Sequence, residues 1–168
     1  ELESTIKEKI KPHVLQYVKI RKATEKDLSS LKTIYDRAWM TTKTPHSPIS
    51  LDTLRDLLEY PSTEILIAKL YGEDVGFLIL DFEGKNQEHG VIVALAVLPR
   101  HQRKGIGKIL ALEAWEEFKA KSVDELKCEV YVENDVACDF IKSVGFEETG
   151  KETYKKEDFG LPGELDST

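Results

Sequence analysis

Residues 87–121 read QEHGVIVALAVLPRHQRKGIGKILALEAWEEFKAK, and this stretch predicts the centre of the fold. Its apolar run at 91–98 is short and rich in Val, which is typical of a strand buried on both faces. Pro99 cannot donate a hydrogen bond to a sheet, so we expect the strand to end there. A basic loop at 100–107 follows, and from about Gly105 the pattern becomes helical.

The predicted helix has one apolar face and begins in a cluster of cations. Apolar residues recur at helical spacing: Ile106, Ile109, Leu110, Leu112, Ala114 and Phe118. Basic residues surround the helix start, in a chain of formal net charge -7: Arg100, Arg103, Lys104 and Lys108. The first turn of a helix has unpaired N–H groups and a positive dipole end. We therefore expect an anion-binding site, with phosphate as its usual ligand.

Two common phosphate-binding motifs do not fit this loop. A P-loop requires Ser or Thr after its Gly-Lys pair, and Ile109 follows Lys108 here. A Rossmann fingerprint requires a third glycine at the position that Leu110 occupies.

The loop instead matches Q-x-x-G-x-G at 102–107, behind an apolar strand that ends in Val97-Leu98-Pro99. This pattern resembles the acetyl-CoA-binding motif of the Gcn5-related N-acetyltransferase (GNAT) superfamily. Residues 126–146, LKCEVYVENDVACDFIKSVGF, resemble the second motif of the same superfamily. The matching positions are Asn134, Ala137, Phe140, Gly145 and Phe146. Together the two motifs relate residues 64–157 to the family.

The remaining pattern predicts the order of elements. A first strand at 17–21 precedes two helices, which start at the capping residues Thr24 and Ser50. Strands then follow at 64–70, 74–82 and 125–132, with a helix from Asn134 and a last pair at 146–150 and 152–156. We expect an α/β fold with a single central mixed sheet flanked by helices, as in the GNAT fold. One domain at 17–159 would lie between an N-terminal extension, 1–16, and a frayed tail, 160–168.

Composition narrows the class of protein. The chain has 168 residues, 40% of them hydrophobic, which suits one soluble domain. Neither a signal peptide nor a membrane-spanning run is present in the sequence. Two cysteines, Cys128 and Cys138, do not form a disulfide framework, so we expect a cytoplasmic protein. The negative charge disfavours nucleic acid and suits an amine partner, and no His/Cys spacing indicates a metal.

The resemblance implies that acetyl-CoA is the acetyl donor. The backbone of Leu95 and Val97 would hold the pantetheine arm, at the point where two parallel strands splay apart. Backbone N–H groups of 102–108 would hold the pyrophosphate, and Asn134 would contact the pantetheine. The implied cofactor-binding residues are Leu95, Val97, Gln102, Arg103, Lys104, Gly105, Ile106, Gly107, Lys108, Asn134 and Phe140.

The implied reaction is direct attack of a neutral amine on the thioester, which calls for a general base. Many family members carry a Glu in the first-motif strand, where this chain has Val93. Others use a Glu in the second-motif strand, and Glu129 matches that position. His89 and Glu88, before the first-motif strand, are alternative bases.

The implied general acid is the Tyr of the second motif, but this chain has Ile141 there. Tyr154 on the last strand, or Tyr131, is an alternative acid. The acceptor would enter over residues 24–60, lined by Tyr35, Trp39 and Met40.

The sequence thus favours an N-acetyltransferase acting on a primary amine of a protein N-terminus, lysine, polyamine or small molecule. One alternative is a GNAT-fold module that binds or senses CoA without turnover. Another is an unrelated phosphate-binding protein that prefers a nucleotide. The last predicted strand pair would permit a homodimer.

Overall fold

The sheet of the computed structural model follows the chain order closely. The structure describes residues 17–39, 49–83, 89–121, 125–130, 135–146 and 166–167. Its strands are β1 (Val18–Lys22), β2 (Thr63–Leu70), β3 (Glu73–Glu83), β4 (His89–Val97), β5 (Glu125–Val130) and β6 (Asp166–Ser167). Its helices are α1 (Leu28–Trp39), α2 (Leu51–Glu59), α3 (Ile106–Ala120) and α4 (Asp135–Ser143). From β1 to α4 this is the predicted order.

The strands form a mixed sheet in the order β1-β2-β3-β4-β5-β6. Neighbouring strands are antiparallel except β4 and β5, which run parallel and are joined through α3. The mixed sheet flanked by helices is therefore confirmed. The strands predicted at 146–150 and 152–156 lie outside the described residues except for Phe146, which is not in a strand, and the extension 1–16 also lies outside them. Within the segment predicted as a frayed tail, Asp166 and Ser167 instead pair with Val130 and Glu129.

Helices cover both faces of the sheet. On β3, Phe77 stacks on Tyr35 of α1, with ring centroids 6.5 Å apart. Phe82 meets the edge of Phe118 of α3, at 5.4 Å. Because side chains alternate along a strand, Phe77 and Phe82 lie on opposite faces, so α1 and α3 do as well.

The helix starts were predicted from their caps, and both predictions are confirmed. Thr24 and Asp27 form a capping box that opens a 3-10 turn, Glu25–Asp27, ahead of α1. The Ser50 side chain accepts a 3.0 Å hydrogen bond from the Thr53 N–H at the start of α2. The predicted apolar face of α3 is likewise confirmed, with Ile106, Leu110, Ala114 and Phe118 all buried.

Asp27 also anchors α1 to β1. Its carboxylate accepts hydrogen bonds from both terminal nitrogens of Arg21, at 2.8 and 2.7 Å, and one from the Thr24 N–H at 2.8 Å. The Arg21 hydrogen bonds, joined by that of Thr24, outweigh burial and lower the pKa of Asp27 to about 2.

Asp27→Asn should therefore destabilise the protein in a pH-dependent way. The folded pKa lies below the unfolded value of about 3.9, so the carboxylate adds stability above about pH 4 and loses it as the pH falls through about 2. We expect the free energy of unfolding to fall by about 1–2 kcal/mol at pH 7 and by about half that amount at pH 3. The loss at pH 7 is smaller than the pKa difference alone would give, because Arg21 is 43% exposed and solvent screens the pair. Urea unfolding at the two pH values measures this effect.

Asp52→Asn is the matched control. Asp52 also pairs with an arginine, Arg55, but its side chain is 91% exposed. Its effect should be much smaller at both pH values. An equal difference for Asp27→Asn at pH 7 and pH 3 would contradict the assigned pKa.

Candidate cofactor and active site

Strand β4 has two neighbouring strands along only part of its length. Its pairing with β3 continues to Val97, whereas its pairing with β5 ends at Ile92 and Cys128. At the same level β4 has a bulge, because Ala94 pairs with Ile79 and Ile92 pairs with Leu80, which leaves Val93 as the extra residue. A bulge bends its strand and increases the local twist. The two parallel strands thus separate just after Ile92.

The backbone groups of Leu95 and Val97 face this separation. The Leu98 N–H donates to the Val75 oxygen of β3, at 2.8 Å. Hydrogen-bonding direction alternates along an antiparallel strand, so Ala96 also points to β3 and Leu95 and Val97 point away from it. In the described parts of the chain, no strand pairs with β4 beyond Ile92 on the side to which these groups point. We call the outward-facing N–H and C=O groups of Leu95 and Val97 the open edge of β4.

One prediction about the burial of β4 was wrong. The apolar run was expected to be buried on both faces, but Val93, Leu95 and Val97 are only partly buried. Ile92 and Ala96 are buried at 4% and 6% exposure. Ala94 is also partly buried, and so is Val91, which still pairs with β5. An apolar run therefore does not by itself show that both faces of a strand are covered.

The loop after β4 ends at the start of α3, where backbone N–H groups are left without a partner in the helix. It contains the 3-10 turn Pro99–His101 and two residues with positive φ, Arg103 at 64° and Gly105 at 97°. Gly105 precedes α3 in a left-handed conformation that favours glycine. The first bond of the helix runs from the Ile109 N–H to the Gly105 oxygen, at 3.0 Å. The N–H groups of the three residues 106–108 thus have no acceptor within the helix, as an anion site requires.

The second predicted motif meets the first at this helix start. A Cβ at Gly107 would lie 3.1 Å from Cε1 of the Phe140 ring in α4. Glycine therefore lets α4 pack directly against the first turn of α3. The structure in this way brings together Gly107 and Phe140, which the sequence analysis assigned to one cofactor site.

The sequence analysis missed Glu73, which holds part of the basic loop. Its carboxylate pairs with Arg100 and lies 3.0 Å from Nε2 of His101. The other ring nitrogen of His101, Nδ1, lies 3.2 Å from Nζ of Lys104. Burial, followed by the charges of Lys104 and Arg100, lowers the pKa of His101, which favours the neutral ring that accepts from Lys104. No local signal indicates this network, because Glu73 and His101 are 28 residues apart.

The network changes the charge balance expected at the loop. Arg100 is neutralised by Glu73, and Lys104 is directed at His101. Within the described residues, neither Arg103 nor Lys108 forms an ion pair. Arg103 is exposed and Lys108 partly so, which leaves both available to an anion.

The structure gives backbone positions for two of the predicted catalytic residues. Glu129 follows Cys128 directly, so it lies where β5 begins to separate from β4. His89 begins β4, six residues before Leu95, or about 20 Å away along the strand. The side chains of both, and all of Glu88, Tyr131, Asn134 and Tyr154, lie outside the described parts. Ile141, at the usual tyrosine position, is 5% exposed.

The predicted acceptor side is described in part. Tyr35 is only 3% exposed and packs in the core against Phe77. The Trp39 side chain, Met40 and residues 41–48 lie outside the described parts. A cleft of about 290 Å³ separates α1, which contributes hydroxyl side chains and Arg37, from Glu73, Asp74 and Leu98.

The described residues contain neither a cluster of metal ligands nor a membrane-spanning helix. No group of three or more His, Cys, Asp or Glu residues there could hold a metal ion. Nor does that part of the chain contain a helix of the length and apolar character needed to cross a membrane.

An opened parallel strand pair beside a glycine-started helix is the arrangement that the two motifs led us to expect. The sequence profile of the acetyltransferase (GNAT) family matches residues 29–146. The chain belongs to this family, whose members are N-acetyltransferases, a class of acyltransferase. No significant match was found among curated protein sequences.

Solved structures share the fold. A ribosomal-protein-alanine N-acetyltransferase from Brucella melitensis has a TM-score of 0.71 and 25% identity, over 89% of this chain and 98% of that one. An aminoglycoside acetyltransferase from an uncultured soil metagenomic sample, in complex with sisomicin, gives 0.70 and 24%, over 84% and 97%. The PaiA N-acetyltransferase of Thermoplasma acidophilum, in complex with coenzyme A, gives 0.70 and 22%, over 89% and 97%.

Proposed function

We propose that this protein transfers the acetyl group of acetyl-CoA to a primary amine by direct attack of the amine on the thioester. The observation that carries the proposal is the position of the open edge of β4 directly before a helix start with unpaired N–H groups. A ligand in which an arm with amide groups is joined to a pyrophosphate matches both parts. Coenzyme A has this structure, and the neighbouring PaiA enzyme was solved with it.

Coenzyme A would lie with its pantetheine arm along β4 and its pyrophosphate at the start of α3. The pyrophosphate binds the N–H groups of 106–108 and the cations of Arg103 and Lys108. The pantetheine arm lies along the open edge of β4, as an added strand would. Phe140 closes the helix start from the side of α4, and Asn134 is assigned to the pantetheine by its motif position alone.

The thioester would then lie near Leu95. A backbone N–H of the open edge is a donor for the oxyanion of the tetrahedral intermediate, and it is fixed before the reaction begins. The amine must lose a proton to attack. At pH 7 only about one lysine-like amine in 2,500 is neutral, against roughly one α-amine in seven.

Glu129 is our proposed general base. It lies in β5 directly after the last residue that pairs with β4, which places it beside the opening where the thioester is expected. His89 is the weaker alternative, because it begins β4 at the end far from the loop. For the leaving thiolate, Tyr154 is the proposed acid, and water is an alternative because a thiol pKa is about 8.5.

The acceptor would approach over α1, as expected from the family. The structural neighbours include enzymes named for aminoglycosides and for a ribosomal-protein alanine, and these acceptors share only an amine. We therefore propose a primary amine as the acceptor class, with Trp39 and Met40 lining its route.

We also propose that residues 17–159 form one cytoplasmic domain. The family match at 29–146 lies within these bounds. The chain has only two cysteines, Cys128 and Cys138, too few for a disulfide framework, which suits a reducing compartment.

Thermal melting with acetyl-CoA tests the cofactor site. A ligand at 100 times its Kd adds about 2.7 kcal/mol, which for this chain length raises Tm by roughly 5–11 °C. ATP and NAD at the same concentration should give little shift. A larger shift with ATP would instead support a nucleotide-binding protein, and no shift with millimolar acetyl-CoA would remove the basis of the proposal.

A module that binds CoA without turnover is the second candidate. It is favoured by the two departures from the family pattern, since Val93 forms the bulge and Ile141 is buried in the core. Such a module would give the thermal shift but would release no free thiol from acetyl-CoA with any amine. A panel of a peptide N-terminus, a lysine peptide, spermidine and an aminoglycoside separates the two candidates.

A further inference from the structure

The side chain of Gln102 joins the two parts of the proposed site. Its Nε2 donates a hydrogen bond to the backbone oxygen of Val97, at 2.9 Å. The family motif assigns Gln102 only a backbone N–H toward the pyrophosphate. The side-chain contact is a separate one, because it is made to the strand and not to the loop.

The acceptor of this bond belongs to the open edge of β4. Ala96 and Leu98 direct their hydrogen bonds to β3, so the Val97 oxygen points to the side where β5 has left. Gln102 therefore occupies the last acceptor along that edge. The groups that remain for a ligand are the N–H and C=O of Leu95 and the N–H of Val97.

We propose that Gln102 is a positioning residue that caps the open edge of β4 and sets the spacing between the pantetheine groove and the pyrophosphate loop. This inference rests on the proposed function, since it takes coenzyme A as the ligand. The pantetheine amides then pair with Leu95 and the Val97 N–H, and the Val97 oxygen is not available to them. The hydrogen bond from Gln102 to Val97 thereby fixes the start of the loop relative to the end of the groove.

Spacing matters because coenzyme A must fill both sites at once. A ligand with two linked parts gains affinity only when the geometry allows both parts to bind simultaneously. Removing the donor of Gln102 frees the Val97 oxygen and lets the loop move relative to the strand. We expect this change to weaken coenzyme A more than either of its halves.

The test uses two variants and three ligands. Gln102→Met keeps the length of the side chain and removes the donor, whereas Gln102→Arg keeps a donor. The ligands are coenzyme A, adenosine 3′-phosphate 5′-diphosphate for the loop alone, and pantetheine for the groove alone. We expect Gln102→Met to raise the Kd of coenzyme A about tenfold and to change the Kd of each half no more than twofold. Gln102→Arg should restore coenzyme A binding to within about threefold of wild type.

Each outcome decides the proposal. It is overturned if Gln102→Met binds coenzyme A as wild type does, or if both halves weaken as much as the whole, which would indicate local disruption. A melting temperature of the ligand-free variant within about 2 °C of wild type checks folding. If the wild-type protein binds no coenzyme A, the proposed function fails first, and with it this inference.

Discussion

Glu129→Gln is expected to lower kcat about 100-fold at pH 7 while the KM for acetyl-CoA changes less than about twofold, because a general base contributes typically 10²–10⁴-fold. The change removes the proposed proton acceptor but keeps the shape of the side chain. Glu129 lies in β5, directly after the last residue that pairs with β4.

The pH dependence separates a base from a merely structural carboxylate. As the pH approaches the pKa of the acceptor amine, more of the amine is already neutral, so the defect of Glu129→Gln should shrink. Initial rates of thiol release from pH 6 to pH 9 measure this.

The matched control is Glu125→Gln on the same strand, at the end where β4 and β5 are still paired. It should leave kcat nearly unchanged. If Glu129→Gln has no effect and His89→Gln does, the base is His89 and the assignment of Glu129 is wrong.

Gly90→Ala is expected to be the most destabilising small substitution in the sheet. A Cβ at this position would lie 2.6 Å from Cζ of Phe118 and would overlap the neighbouring ring atoms. Phe118 is 2% exposed and packs edge-on against Phe82 and Trp115, so it has little room to move. We expect a loss of about 3 kcal/mol, or a decrease in Tm of roughly 6–12 °C.

Two further variants test the cause. Gly72→Ala lies in the β2–β3 turn at φ 81° with no atom within 4 Å, so it should cost only the strain of a left-handed residue, about 1 kcal/mol. Phe118→Leu combined with Gly90→Ala should be less destabilising than the sum of the two single changes. Strict additivity would show that the ring is not the obstacle.

The features that the sequence predicted are local ones. Thr24 and Ser50 cap the helices that follow because a cap depends on three or four adjacent residues. The apolar face of α3 was readable because its residues repeat at helical spacing on one surface. The glycine loop and the helix start at Gly105 belong to the same local class.

The features that the sequence did not predict depend on register between distant segments. The bulge at Val93 exists only relative to Ile79 and Leu80, and its own apolar character gives no sign of it. Glu73 reaches the basic loop only because the β2–β3 hairpin ends beside it. Tyr35 was expected to line the acceptor route, but the rotation of α1 over the sheet places it in the core.

The open edge of β4 also has a consequence for the protein without its ligand. The Val97 oxygen is bound by Gln102, but the other groups of the open edge face no strand within the described residues. Such groups bond to water, and unpaired strand edges favour association with other chains. A bound pantetheine arm would replace that water and complete the hydrogen bonding along β4. In this view the cofactor is a transient structural element of the sheet, and the loaded protein is the form better protected against aggregation.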